Sequence, residues 1–528
     1  MTRVLCRAAL VAAALAASSS AQERPSEEEL FGTPPTAAPQ PRGAAGRTAV
    51  PAPAGSPGEG TPAPAAEPQR PEEAELFGSQ GPPSALPPPP QGIIPGEKED
   101  PLALGGQVYL RLQASAYEDA PPHDWPLSSP NLVDLYLDVR PNDRVRGFVL
   151  GRTFYDPTDG ESASVPGATA GGAETSTPGI SSGSAEPSVV LDQLWVNFDL
   201  WRTVFVTAGK QHVKWGVGKF WNPTDYLHPV RRDPLAVFDV REGTPMVKLH
   251  LPWEKRGWNL YGVMFLEDVA GQHRPTDRVG RIAGGGRAEL VLGTAELGLD
   301  ALLQDGRDPR FGVDLSGGLG DFDLYVEAAL RRGIDGSRWR PGTDPDDASG
   351  YVRDDPKGFT PQVVAGGSWS AKYSDEDAIT LGAEYFYNEA GYEDRGIYPF
   401  LLSGAPKIDL ADPDNPVVTV RDPAAFRAFY LGKHYAGAYA SLPSPGRWND
   451  TTFTLTLLGN LSDRSFVLRL DHSVLVLTYL RVETYLAGHL GTRGGEFRLT
   501  LPAYLAALAG LPSGAPIIDA GVAVRVSL

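Results

Sequence analysis

Residues 209–243, "GKQHVKWGVGKFWNPTDYLHPVRRDPLAVFDVREG", gather opposite charges among aromatic rings. The cations Lys214, Lys219, Arg231, Arg232 and Arg241 are interleaved with Asp225, Asp233, Asp239 and Glu242, while Trp215, Phe220, Trp221 and Tyr226 stand between them. Rows of opposite charge facing each other across a narrow water-filled space would orient a polar solute and set ion selectivity. Aromatic surfaces with polar neighbours, Trp221 among them, suit sugars. The same composition would serve a solvated surface loop. The choice depends on whether the rest of the chain encloses this segment.

Other chemistries find less support. The eight histidines are scattered and make no pair at metal-ligand spacing. Asp471-His472-Ser473 supplies the residue types of a hydrolytic triad, but neighbours on a strand point to opposite faces and cannot converge alone. Gly216-x-Gly218 follows a strand-like run without the Lys-Ser/Thr and helix of a phosphate-binding loop. The net charge of −18 and the absence of a basic stripe speak against nucleic acid. The acidic stretches "TDPDD" (343–347) and "DLADPDNP" (409–416) lack a defined ligand spacing and read as solvated loops. No catalytic role, metal or cofactor is expected.

The elements around the charged segment carry a period of two. In "RFGVDLSGGLGDFDLYVEAALR" (310–331), Phe311, Val313 and Leu315 separate from Arg310, Asp314 and Ser316. Past a tight Gly320-Asp321 turn, Phe322, Leu324, Val326, Ala328 and Leu330 separate from Asp323, Glu327 and Arg331. Similar runs fall near 106–116, 133–139, 144–155, 189–199, 203–213, 244–252, 257–266, 279–291 and 294–304. They continue near 361–373, 378–388, 427–441, 451–460, 465–473, 475–487 and 516–528, with 495–502 as a further candidate.

Connections between runs decide the architecture. They alternate between short (141–143, 200–202, 253–256) and long (156–188, 214–243, 333–360, 389–426). Short turns on one rim and long loops on the other belong to a transmembrane antiparallel up-and-down β-barrel. A soluble all-β sandwich has no reason to keep that parity. Trp201 and Trp253 fall at short turns, where an interfacial aromatic girdle would sit. Barrels of this kind have even strand numbers, so 18 strands are expected, with 16 as the fallback. Apolar faces would then meet lipid, and Arg310, Asp314, Asp323, Glu327 and Arg331 would line the lumen.

The N-terminus points to the same compartment. Arg3 and Arg7, an apolar run from Ala8 to Ala17 and small residues before Gln22 make residues 1–21 a secretory signal peptide. The one cysteine, Cys6, lies within it. Residues 22–105 are Pro-, Ala- and Glu-rich and read as a disordered tether, with the barrel over 106–528. Two near-copies, "PSEEELFG" (25–32) and "PEEAELFG" (71–78), hold the tether's aromatics. Leu30-Phe31 and Leu76-Phe77 are either a pair of docking anchors for a periplasmic protein or relics of low-complexity duplication.

The segment pairing Gly209, Gln211, Trp215, Gly216 and Gly218 with Asn222, Pro223 and Asp225 resembles one found in porin-like outer-membrane proteins. "GAEYFYNEAGY" (382–392), "GNLSDRS" (459–465) and the terminal strand resemble further segments, although Leu528 replaces the usual final aromatic. This resemblance implies an outer-membrane channel in a Gram-negative bacterium, embedded among outer-membrane lipids and passing small polar solutes. Its constriction would be the loop near 214–243, formed from Lys214, Lys219, Trp221, Asp225, Arg231, Arg232, Asp233, Arg241 and Glu242. A barrel that anchors the envelope through its tether, and a barrel enzyme, remain the alternatives.

Overall fold

The computed structural model describes residues 101–158, 187–228, 231–266, 279, 282–334, 336–375, 377–410, 417–422, 425–503, 506 and 512–528. The leader, most of the tether and both Leu-Phe pairs lie outside these residues. Eighteen long strands run in chain order. They are β1 (Leu102–Tyr117), β2 (Asn131–Asn142), β3 (Val145–Tyr155), β4 (Ser188–Leu200), β5 (Val204–Gln211) and β6 (Thr244–Trp253). Next come β7 (Trp258–Phe265), β8 (Ala283–Leu292), β9 (Ala295–Leu303), β10 (Arg310–Leu319), β11 (Phe322–Arg332) and β12 (Phe359–Lys372). The last six are β13 (Ala378–Asn388), β14 (His434–Pro443), β15 (Thr451–Asn460), β16 (Ser465–Leu477), β17 (Leu480–Gly491) and β18 (Pro516–Ser527). Each pairs antiparallel with the next, and β18 returns to β1, with Val108 opposite Val526 and Leu112 opposite Val522. Closure leaves the sheet no open edge, the condition for placing strands in hydrocarbon.

Register fixes which face meets what. In the β10–β11 hairpin Leu315 stands opposite Val326 and Asp314 opposite Glu327. Phe311, Val313, Leu315, Leu324, Val326 and Leu330 are exposed on the outside, while Arg310, Asp314, Glu327 and Arg331 are buried within. Apolar outside and charged inside is the reverse of a soluble core. Gly320, at φ +62°, makes the turn a side chain would strain.

Short connections (143–144, 201–203, 254–257, 293–294, 320–321, 373–377, 444–450 and 478–479) gather at one rim. The opposite rim carries the long ones, with 304–309 and 461–464 its two brief exceptions. Trp201, Trp253, Phe322, Tyr373, Trp448 and Tyr479 are exposed at the short-turn rim, as an interfacial girdle requires. At the long-loop rim Trp339, Tyr398, Phe400, Leu402, Phe426 and Leu499 pack into a core shared by loops 333–358, 389–433 and 492–515.

Several boundaries differ from the sequence expectation. Strand β1 starts at Leu102, within the stretch assigned to the tether, because Gly105-Gly106 interrupts the alternation without breaking the pairing to β2. Strand β14 starts at His434, since the apolar residues before it (Phe426, Phe429) belong to loop packing. The β16–β17 turn falls at 478–479, beyond an apolar run that hid it. Segment 495–502 contains a 3-10 turn, Glu496–Arg498, and adds no strand.

Candidate functional site

The loop between β5 and β6, residues 212–243, folds against the inner wall. Two wall carboxylates hold it by its backbone. Glu327 on β11 accepts from the amides of Val217 (2.8 Å), Gly218 (3.0 Å) and Thr224 (2.7 Å) and from Thr224 Oγ1 (2.9 Å). Glu384 on β13 accepts from the amides of Lys219 (2.7 Å), Phe220 (3.2 Å) and Trp221 (2.8 Å) and from the Tyr325 hydroxyl (2.7 Å). Wrapping the backbone this tightly excludes side chains: a Cβ on Gly216 (φ +86°) would sit 2.5 Å from Glu327 Oε2, and one on Gly218 1.8 Å from Trp221 O. Asn222 closes the turn by donating Nδ2–H to Trp215 O at 2.5 Å. These contacts explain why Gly216, Gly218 and Asn222 stand where they do.

Aromatic residues of the loop act as wedges. Trp221 is fully buried, stacks on Phe386 with centroids 5.6 Å apart, and donates its indole N–H to Phe429 O at 3.0 Å. It therefore offers no face to a passing solute, contrary to the role expected from its type. Tyr226 donates its hydroxyl to Phe311 O at 2.9 Å.

Both ends of the loop are fastened to β4 and to each other. Asp192 accepts from His212 Nε2 (3.0 Å) and Gly243 N (3.3 Å), and it lies 3.8 Å from Arg152. His212 Nδ1 contacts His228 Nε2 at 3.3 Å, and His228 Nδ1 contacts Asp225 at 2.9 Å. Arg241 bridges Asp225 (2.9 Å) and Asp239 (2.6 Å), and Lys210 pairs with Glu242 at 2.5 Å. Burial alone would push the Asp225 carboxyl up, but the charges of His228 and Arg241 outweigh it and hold it at about 2. Its folded value is depressed, so its contribution is complete above the ordinary carboxylate range and is lost only as pH falls through about 2.

With the loop against β10–β14, space remains along the adjoining wall. A cavity of about 140 Å³ is lined there by Leu235 and its neighbours from the loop, by Thr452, Thr454 and Thr456 of β15, and by strands β16, β17, β18 and β1. The Tyr485 ring lies between two guanidinium groups, Arg111 at 4.7 Å and Arg469 at 4.5 Å. Arg481 and Arg525 stand directly opposite each other, and Arg525 pairs with Glu483 at 2.6 Å. Arg469 pairs with Asp471 at 2.6 Å and also donates to Leu235 O at 2.9 Å, tying the loop to this wall. The charged residues of the lining are mixed in sign, with Arg469, Arg481 and Arg525 against Asp471 and Glu483.

The expected site residues separate into two groups. Asp225 and Arg241 form the buried root, with Glu242 paired beside it, while Lys214 donates to Gly218 O at 3.2 Å and Asp233 caps Leu235 N at 2.7 Å. Arg232 is buried with Nη1 3.4 Å from Lys219 O, and Arg231 lies 6.0 Å from the Tyr430 ring, so both pack between loops and outside the cavity lining. The Lys219 amide reaches Glu384. Among wall residues, Glu327 is a loop anchor, Arg310 lies 5.7 Å from the Tyr226 ring and Asp314 pairs with Arg287 at 2.6 Å. Arg331 is buried, and Asp323 sits near the short-turn rim. Asp471, His472 and Ser473 all border the cavity, and His472 also stacks on Phe453 at 4.7 Å. Sequence reasoning missed Glu384, Asp192, His212 and His228. An inward Glu384 was legible from alternation within 378–388, but its partner was not.

No protein-family model and no curated protein sequence matches the chain. Among solved structures, Acinetobacter baumannii OccAB1 is similar at 9% identity, covering 81% of this chain and 97% of that one with a TM-score of 0.45. Pseudomonas aeruginosa OccK8 (OprE) is similar at 10% identity, 81% and 98% coverage and a TM-score of 0.42. A mutant of Rh. blastica porin shows 11% identity, 81% and 100% coverage and a TM-score of 0.34.

Proposed function

We propose that this barrel is an outer-membrane channel through which small polar solutes diffuse, with loop 212–243 as its constriction. The observation that carries this reading is a charged loop held inside the barrel. Glu327 and Glu384 pin it to the wall, and a cavity lined by Arg469, Arg481 and Arg525 lies beside it. A barrel serving only as an anchor has no need of a guarded aqueous path. Purified protein in planar bilayers should show discrete ohmic steps, and a protein that inserts without conducting would refute the channel.

The path's charge sets a second expectation. Replacing Arg481 and Arg525 by Glu puts two carboxylates where two guanidiniums face each other, beside Glu483. The reversal potential in a salt gradient should move toward cations by tens of millivolts, of order the shift produced by inverting a charged ring. An unchanged potential in a conducting variant would place the path elsewhere.

The tether has its own expected role. Strand β1 starts at the short-turn rim, which faces the periplasm in barrels of this kind. Leu30-Phe31 and Leu76-Phe77 lie 46 residues apart in the sequence. A dimeric periplasmic partner with basic grooves would gain avidity from holding both. Replacing all four with Ala should abolish its co-purification while conductance persists; retention of every contact would leave the repeats without a docking role.

A further inference from the structure

The chain of contacts at the loop root fixes its proton count. An ionised carboxylate only accepts hydrogen bonds, and so does a ring nitrogen without a proton. His212 Nε2 faces Asp192 and His228 Nδ1 faces Asp225, so each of these nitrogens must carry a proton. The 3.3 Å contact between His212 Nδ1 and His228 Nε2 needs one more. Three protons on four nitrogens give the pair a single positive charge. His228 is the more enclosed ring, its side chain 3% exposed against 19% for His212.

We propose that this pair is a proton-operated latch: one extra proton holds the constriction loop to the wall, and uptake of a second unfastens it and gates the pore. This regulation rests on the channel reading above. A fourth proton sets N–H against N–H between two cations at a contact that can hold only one proton. His212 follows the last residue of β5, so opening that contact parts His228 and the attached Asp225 from the β4 anchor on the His212 side, leaving only Gly243 bonded to Asp192.

Charged groups from several elements surround the pair. Asp192 is flanked by Arg152, itself paired with Asp134 at 2.8 Å, and Arg241 holds Asp225 and Asp239. Lys210 and Glu242 pair beside them, and Arg232 is buried nearby. Burial lowers the His228 ring below the ordinary histidine value in spite of Asp225, so uptake of the second proton needs acid, while Asp225, held at about 2, stays ionised.

The test uses the full chain. In planar bilayers the frequency of transitions between conductance levels should rise at least tenfold as pH falls from about 7.5 to about 5. His212→Gln and His228→Gln should each abolish that rise, and His123→Gln, at an exposed position, should retain it. A rise that persists in both latch variants, or a conducting parent whose transitions ignore pH, would overturn the latch. Failure to conduct at any pH would instead overturn the channel. Nitrogen-15 histidine spectra then decide the latch independently: three N–H protons on the two rings at pH 7.5 support it, and two refute it.

Discussion

Replacing Glu327 and Glu384 together with Ala should widen the pore and make it noisy. These two side chains accept from six loop amides, those of Val217, Gly218, Lys219, Phe220, Trp221 and Thr224. An amide left buried without its acceptor costs on the order of 1–3 kcal/mol. Lumen water recovers part of that only if the segment leaves the wall, so release is the cheaper response. Once released, the loop no longer confines the path to one side, and unit conductance should rise roughly twofold or more, with fast current fluctuations. The single variants should show intermediate effects, because each carboxylate holds its own three amides. A doubly substituted channel of parental conductance and quiet current would show that the loop is held by its aromatic wedges and its fastened root without the two carboxylates.

The second large effect concerns the outside of the wall. Val326 lies on the lipid face near the middle of β11, opposite Leu315. An arginine there should cost about 2–4 kcal/mol at mid-depth and leave most of the protein unassembled, measured as loss of the heat-resistant folded band. Leu324 lies two positions from the turn, and the same substitution should cost only about 0–1 kcal/mol near the interface. Asp323→Arg, on the inner face, should assemble normally. Equal assembly of Val326→Arg and Asp323→Arg would reverse the assignment of faces.

Period-two alternation with turn parity was enough to read the barrel and its strand number, because side-chain direction in a strand is a local property. Boundaries went astray where local pattern and packing part company. Phe426 and Phe429 look like strand residues and serve in a loop core, and the run across 474–477 conceals a turn that only pairing reveals. The charged loop was legible as a unit, but its inner order was not. Trp221 looked like a lining surface from its type and is a buried wedge. Arg231 and Arg232 looked like selectivity groups and pack between loops. Acceptors such as Glu384 are chosen by three-dimensional closure across the lumen, which no spacing in the chain encodes. The enclosed histidines escaped notice because they are too few and too widely separated to form a motif.

The loop's attachments also dictate an order of events during biogenesis. Its amides bond to carboxylates 103 to 165 positions later in the chain, and its indole to a carbonyl 208 positions later. Until β11 and β13 have taken their places, the glycine-tryptophan turn has no acceptors for its N–H groups. A nascent chain carrying only the first ten strands must therefore keep this segment solvated or chaperoned. Contacts this distant in sequence form late and slowly. Weakening Glu327 or Glu384 should thus delay maturation as well as alter the finished pore, and the delayed species would be a nearly complete cylinder with its interior still unfilled.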